Sequence, residues 1–362
     1  MKEIWITAAN DNIFAMKTTL RKTVLLVLFI MIAIGLSAAR SLEYTREIKK
    51  DFQVNPDAKL ILENKFGDIQ IFNWEKNEIS VIVKITVEAR SLESATELFN
   101  KVKINFSGNA TQVEARTQLL DKVNSKGRFQ IDYVVNMPAS LSIDINNSFG
   151  DLIIPEITGK ATIRLGYGNA EINKLSNSDN FVEIKFGNAN INWIKGAVMN
   201  LKYSNFEGDY AGSLNLNSSY SNFSANKVIV LEAVFEGGKL ELDESSVLNC
   251  RSKFSDITIG KLDQKLDLDN QYGSFDIDDI PCTFISIVVS NNFGSIELGI
   301  NDGCDYKLDA EMSFCNLDYN EERGDFSYRE DSGHKESIHG IIGKNPSSSV
   351  KVTSNYGNVS LD

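Results

Sequence analysis

Two histidines and a run of aspartates hold most of the chemistry this chain could do. His334 and His339 sit in an acidic stretch with Glu330, Asp331 and Glu336. Imidazole nitrogens and carboxylates ligate zinc when a rigid frame fixes them tetrahedrally. One His pair in a charged, Gly/Ser-rich segment has no such frame, and it reads as solvated. Asp263, Asp267, Asp269, Asp276, Asp278 and Asp279 form the second group. Clustered carboxylates can bind calcium or act as the acid and base of a polysaccharide-cleaving β-helix. Yet Asp267 alternates with Leu266 and Leu268, as a solvent-facing residue of a half-buried strand does. Surface Asn, Ser and Tyr with Trp193 would suit a sugar-binding strip, although the same Asn positions are turn residues. No P-loop, dinucleotide fingerprint or Gly-x-Ser-x-Gly elbow occurs. The expectation is a non-enzymatic chain with no catalytic, cofactor-binding or metal-binding residues.

Cysteine chemistry is equally sparse. Cys250, Cys282, Cys304 and Cys315 lie in the second half, without a CxxC pair. Cys282 and Cys304 open similar stretches about one repeat apart. Stacked strands lie about 4.8 Å apart and disulfide Cα separations run about 4.4–6.8 Å. A bridge and a pair of small buried residues are both open readings.

The elements that must carry these residues are repeats. The units read Phe149-Gly-Asp, Tyr167-Gly-Asn, Phe186-Gly-Asn, Tyr203-Ser-Asn, Tyr220-Ser-Asn and Phe235-Glu-Gly. They continue as Phe254-Ser-Asp, Tyr272-Gly-Ser, Phe293-Gly-Ser and Phe314-Cys-Asn, with Tyr356-Gly-Asn near the end and Phe66-Gly-Asp near the start. Spacings of 15 to 21 residues between Phe149 and Phe314 mark a stacked array. Alternation at Ile163, Leu165 and Tyr167, and at Val182, Ile184 and Phe186, makes each unit a pair of strands. The fold expected is all-β: a β-solenoid, β-helix-like, of about 18–20-residue coils. A sandwich of hairpins is the alternative, but it leaves the recurring three-residue signature unexplained. In the solenoid the aromatics stack as an interior ladder, and the small residue after each suits an unusual backbone angle or a close neighbour. Asn or Asp then bonds the turn's own backbone and, when stacked, the next coil.

Before the repeats, residues 40–147 read as a small β-rich capping region with a helix over 91–102 and a polar loop over 119–127. Repeats occupy 148–320, a charged Gly/Ser-rich surface loop 321–349, and a terminal repeat strand 350–362. Hydrophobic residues at 42% and charged residues at 24% are those of a folding chain. The 49 Asp and Glu exceed the 37 Lys and Arg, giving a net charge of -12 that argues against nucleic acid as a partner.

Lys17, Arg21 and Lys22 precede an apolar run from Val24 to Leu36 and small residues at Ser37, Ala38 and Ala39. That order is a secretory signal peptide over 1–39, with the true start at Met16. The run is shorter than the roughly 17–25 residues a spanning helix needs; an uncleaved anchor is the alternative. Cleavage would leave 33 basic against 47 acidic residues, net -14. Export is expected, with no stable membrane span afterwards.

Phe66-Gly-Asp-Ile-Gln-Ile, followed by Trp74-Glu-Lys-Asn-Glu-Ile-Ser-Val, resembles the opening of the bacterial putative-adhesin family. The helix at Ser91–Val102, the strand Tyr133-Val-Val-Asn-Met-Pro138 and the serial Tyr/Phe-Gly-Asn units resemble it too. Ser or Cys in place of the turn glycine, and the long segment before Tyr356, depart from it. The family consists of exported β-repeat proteins of uncharacterised function, common in Gram-negative bacteria, and it brings no catalytic residues. The resemblance implies an adhesin or cell-envelope scaffold in the periplasm, at the outer membrane or on the cell surface. Its partner would be a surface polysaccharide or an envelope protein. Some members accompany envelope sigma/anti-sigma regulation, so a periplasmic regulatory partner in envelope-stress signalling is one alternative. A polysaccharide-active β-helix enzyme is the other.

Overall fold

The computed structural model describes residues 41–120 and 129–362. Segment 1–39, expected as a signal peptide, and most of the expected polar loop after Leu119 lie outside the described residues. Within them the chain is all-β, with 23 strands in one hydrogen-bonded sheet, one α-helix and one 3-10 turn. None of the helices described is long and apolar enough to cross a membrane.

The N-terminal region holds β1 (Leu42–Gln53), β2 (Lys59–Lys65), β3 (Ile69–Asn73), β4 (Glu78–Ala89), α1 (Leu92–Asn100), β5 (Val102–Gly108), β6 (Gln112–Leu119) and β7 (Phe129–Met137). Val81, Val83, Ile85 and Val87 alternate inward along β4, which lies antiparallel between β1 and β7. The helix starts where Ser91 Oγ accepts the Ser94 N–H at 3.2 Å. At its other end the Arg46 guanidinium donates to Phe99 O at 3.0 Å, placing a cation on the helix C-terminus. β6 runs parallel to β2 and β7 parallel to β3, so the antiparallel region ends in two parallel edges.

Two parallel ladders grow from those edges. β8 (Ser142–Ser148) lies on β2 and β9 (Leu152–Ile157) on β3. β10 (Ala161–Gly166), β11 (Asn169–Leu175), β12 (Asn180–Lys185) and β13 (Asn188–Lys202) continue them alternately. One strand from each ladder, with the corner between them, forms a tier. The inward column Leu62, Ile145, Ile163, Val182, Met199 and Leu216 shows how tightly the tiers repeat, for every member is at most 1% exposed. Full burial of such a side chain contributes about 1.5–3 kcal/mol, which makes these columns the main stabilising element. β14 (Asn205–Gln271) is assigned without a break over 67 residues. A straight strand of that length would span roughly 220 Å. Instead it folds back on itself: Lys227 bonds Glu244, and the Lys239 N–H bonds Asn222 Oδ1, both 17 positions apart.

β15 (Ser274–Ile280), β16 (Ser286–Asn292), β17 (Ser295–Ile300), β18 (Tyr306–Ser313) and β19 (Leu317–Asp318) follow. Segment 321–349, expected as a surface loop, contains β20 (Gly324–Asp331) and β21 (Lys335–Ile342) as an antiparallel hairpin. β21 also pairs antiparallel with β18 and covers its edge. The segment looked loop-like because its outer strand is almost wholly solvent-facing, leaving only Ile338 and Ile342 to bury. The last strands, β22 (Ser348–Asn355) and β23 (Val359–Ser360), insert between earlier ones. β22 lies between β16 and β18, and β23 between β17 and β19. Cys282 and Cys304 form a disulfide with Cα atoms 4.7 Å apart, joining the corners that lead into β16 and β18.

The expected interior ladder of aromatic rings is overturned. The recurring aromatics do stack, but on the outside: Phe149, Tyr167, Phe186 and Tyr203 are 45–53% exposed. The buried columns are mainly aliphatic, with Phe206 and Phe223 as one stacked interior pair at 4.6 Å.

Candidate functional site

The outer corner of each tier is built by one residue in the left-handed region. Among the described residues eleven non-glycine residues have positive φ, from +49° to +67°, and all eleven are the Phe or Tyr of the repeated signature. Such angles are uncommon outside glycine and cost of order 1–3 kcal/mol. Two features offset that cost here. The corner N–H donates to the next tier: Phe149 to Gly166 O at 2.8 Å, Tyr167 to Lys185 O at 2.9 Å, Phe186 to Lys202 O at 3.1 Å. The rings also stack, with centroids 4.8–5.4 Å apart and planes within 16° from Phe66 through Tyr220. Stacked pairs contribute about 0.5–1.5 kcal/mol each beyond area burial.

Of the two uses open to the small residue after the ring, an unusual backbone angle or a close neighbour, it serves the second. It keeps ordinary φ and lets the backbones touch. A Cβ on Gly187 would lie 1.9 Å from Gly168 O. Where serine stands instead, its hydroxyl is used: Ser204 Oγ donates to Lys202 O at 2.8 Å, and Ser221 Oγ accepts the Ser204 N–H at 3.1 Å.

Beside the rings runs an amide column. Asn169 Nδ2 donates to Asp151 Oδ1 at 3.1 Å, Asn188 to Asn169 at 2.8 Å, Asn205 to Asn188 at 2.9 Å and Asn222 to Asn205 at 2.9 Å. Each amide spends one N–H and one lone pair along the column, leaving one of each for solvent or a polar ligand. A shallow hollow of about 340 Å³ borders it, lined by Glu171, Asn190 and Glu207 as well as the column. The surface is acidic, amide-rich and aromatic-edged, which suits a hydroxyl-rich or extended partner and offers no enclosed chamber.

One unit departs from its sequence assignment. Phe235 is buried and lacks the positive φ; Gly237 carries it instead, at +70°. With Gly237 as the corner, the steps from Phe186 through Tyr203, Tyr220 and Gly237 to Phe254 are all 17 residues. Phe235 lies two residues inside the corner, in the column position held by Ser218 and Ser252 in the tiers on either side. Those two small residues leave volume for its ring. Phe235 imitates the signature because it is aromatic, while the backbone needs only a residue that tolerates the corner.

The sequence-picked polar residues are dispersed. His334 stacks on Phe314 at 5.1 Å and ends the ring column, and His339 sits 3.1 Å from Asp309 and 3.5 Å from Glu311. Of the acids nearby, Glu336 pairs with Arg329 at 3.2 Å and Glu330 accepts from the Tyr328 hydroxyl, while Asp331 holds the hairpin turn through the Gly333 N–H at 2.8 Å. The six aspartates divide between two ladders. Asp267 and Asp269 pair with β16, Asp276, Asp278 and Asp279 lie on β15, and Asp263 is at the bend between. Lys261, 2.9 Å away, holds the Asp263 carboxyl below the ordinary range. Asp276 faces Glu297 across the β15–β17 register. Burial, then Glu297, Asp278 and Asp256, push its carboxyl above the usual value. Among the described residues no group of three or more His, Cys, Asp or Glu side chains is placed to hold a metal ion. Trp193 stacks on Tyr210 at 5.7 Å under Lys174 at 5.3 Å, in a short column of its own. Burial pushes the Cys250 thiol up to about 12, which removes it as a nucleophile. Cys315 donates to Ser354 O at 3.3 Å.

No protein-family model matches this chain, and no curated protein matches it closely enough to count. Three solved structures resemble it at 11% identity. A putative cell adhesion protein from Clostridium sporogenes ATCC 15579 covers 87% of this chain and 98% of its own, with a TM-score of 0.17. A putative adhesin from Bacteroides fragilis NCTC 9343 covers 87% and 96%, with a TM-score of 0.24. A putative lipid binding protein from Parabacteroides distasonis ATCC 8503 covers 88% and 96%, with a TM-score of 0.25. Superposition at these TM-scores is too loose to bear on function.

Proposed function

We propose that this chain is a non-enzymatic, exported β-solenoid whose outer columns form a repetitive binding surface for adhesion or cell-envelope scaffolding. The observation that carries this reading is the uninterrupted repetition of exposed rings and half-used amides from Phe149 to Tyr220. A periodic surface matches an extended polymer or a partner's strand better than a compact substrate. The signal-like pattern over Lys17–Ala39 is what supports export in this reading. The test is protease shaving of intact cells, with a periplasmic control, together with co-sedimentation of purified protein on isolated surface polysaccharide. Loss of the shaved signal with retention on the polymer is the expected pair of results. Protection until the outer membrane is opened, with no retention, would move the protein to the regulatory alternative in the periplasm.

The facing carboxyls of Asp276 and Glu297 favour one second reading, a polysaccharide-active enzyme, because Asp276 is pushed up beside a second carboxyl. Release of reducing ends that is lost in Asp276→Asn would establish that reading and overturn the first.

A further inference from the structure

The ring column has a gap. Rings stack continuously from Phe66 to Tyr220, and again from Phe254 through Tyr272, Phe293 and Tyr356 to Phe314, with centroids 4.9–5.1 Å apart in the second run. Between the runs stands Gly237, whose φ of +70° is that of a ring-bearing corner. Gly238 after it would place a Cβ 2.0 Å from Ser221 O, the close approach also made after Phe149, Tyr167 and Tyr272, although Gly238 itself has a φ of +105°. At Gly237 the backbone is that of a ring-bearing corner without its ring. Tyr220 and Phe254, on either side, are both 58% exposed, against 45–54% for the other exposed rings of the column.

We propose that this gap is a binding slot for one aromatic side chain of a partner polypeptide, sandwiched between Tyr220 and Phe254. Two tier steps separate the flanking rings by about 10 Å. A flat ring at the midpoint then lies about 5 Å from each, the spacing of the column itself. A puckered, saturated ring is thicker and presents no π face to either neighbour. Tyr220 keeps its plane within 7° of Tyr203, its Cδ1 lies 3.0 Å from where a Gly237 Cβ would be, and Gly237 is buried beneath it. Ring entry therefore requires only a small shift of Tyr220 away from Gly237. The rim is charged. The Lys253 ammonium lies 5.3 Å from the Phe254 ring, and Lys239 interrupts the amide column in the same tier. Glu236, exposed immediately before Gly237, makes that rim mixed in sign, so a partner aromatic flanked by one acidic and one basic residue fits it.

The proposal rests on the binding-surface reading for its use but not for its geometry, so failure on polysaccharide would leave the slot untouched. The experiment is saturation-transfer NMR of the full chain with N-acetyl-phenylalaninamide, compared with its cyclohexylalanine analogue. The aryl probe should bind at least about fivefold tighter than the saturated one, since two stacking faces are at stake. Gly237→Phe should abolish binding and raise the thermal midpoint, because it completes the column. Phe254→Leu, which keeps apolar bulk but removes one face, should weaken binding and decides the matter if Gly237→Phe does not fold. No aryl binding, equal binding of the saturated probe, or undiminished binding to Phe254→Leu or to folded Gly237→Phe would each overturn the proposal.

Discussion

Two columns run through the same tiers only two residues apart in the chain. Leu165, Ile184 and Leu201 are at most 2% exposed, whereas Tyr167, Phe186 and Tyr203 are 45–53% exposed. Both repeat at the same tier spacing, and both are apolar. The inner column derives its stability from burial. The outer one derives its own from ring-on-ring stacking and from the corner hydrogen bonds. The difference teaches that a periodic apolar signature identifies a repeated environment without saying on which side of the backbone it lies.

The largest effect expected is on the inner side. Ile184→Ala should lower unfolding stability by about 2–5 kcal/mol, read as the shift in urea midpoint. A near-neutral result would mean that the inner column is not packed as described. The disulfide comes next, because it joins tiers at the corner opposite the rings. Replacing Cys282 and Cys304 with alanine should cost about 2–4 kcal/mol. An unchanged midpoint would show that the hydrogen bonds there, such as Asn301 N–H to Ile280 O at 3.1 Å and Arg323 to Cys304 O at 2.9 Å, hold that corner without the bridge.

Phe186→Ala should be milder, about 1–3 kcal/mol for two stacking faces. The sharper measurement is Phe186→Gly, which loses the same ring but relieves the left-handed angle by about 1 kcal/mol. Glycine should therefore be the more stable of the two variants. Alanine proving the more stable would show that the corner does not hold positive φ in solution.

The smallest effect is electrostatic and sits on the solvent face of β15. A carboxyl raised in the folded chain, as Asp276 is, contributes stability that is full below its ordinary value of 3.8 and lost as pH rises through the raised one. Asp276→Asn should therefore be slightly more stable than the parent at neutral pH, with the difference vanishing near pH 3. Destabilisation at pH 7 would indicate that the carboxylate has a favourable partner, contrary to its acidic neighbours.

Much of this architecture was legible in the chain. Helix α1 was readable from its Ser91 cap and the spacing of Ala95 and Phe99. Eleven of the twelve corners were readable from an aromatic followed by a small or polar residue. The twelfth was missed because Phe235 imitates the signature while Gly237 performs the role. The hairpin at 324–342 was missed because a solvent-facing covering strand needs few apolar residues. The amide column drew on the same Asn positions read as turn residues, and only stacking at 2.8–2.9 Å distinguishes a column from separate turns.

By itself the sequence determined that the chain repeats, that its units are strands, and where each unit turns. These properties are local: period-2 alternation and a tolerant corner residue act over a few positions. Tertiary structure alone decided which side the rings occupy, where β22 and β23 insert, and which tier lacks its ring. Alternation places Ile163, Leu165 and Tyr167 on one face only while the backbone stays extended. A single left-handed residue at Tyr167 reverses that side and turns the last of the three outward. The order of tiers at the C-terminal end likewise depends on pairing between segments more than 60 residues apart, which no short-range pattern encodes.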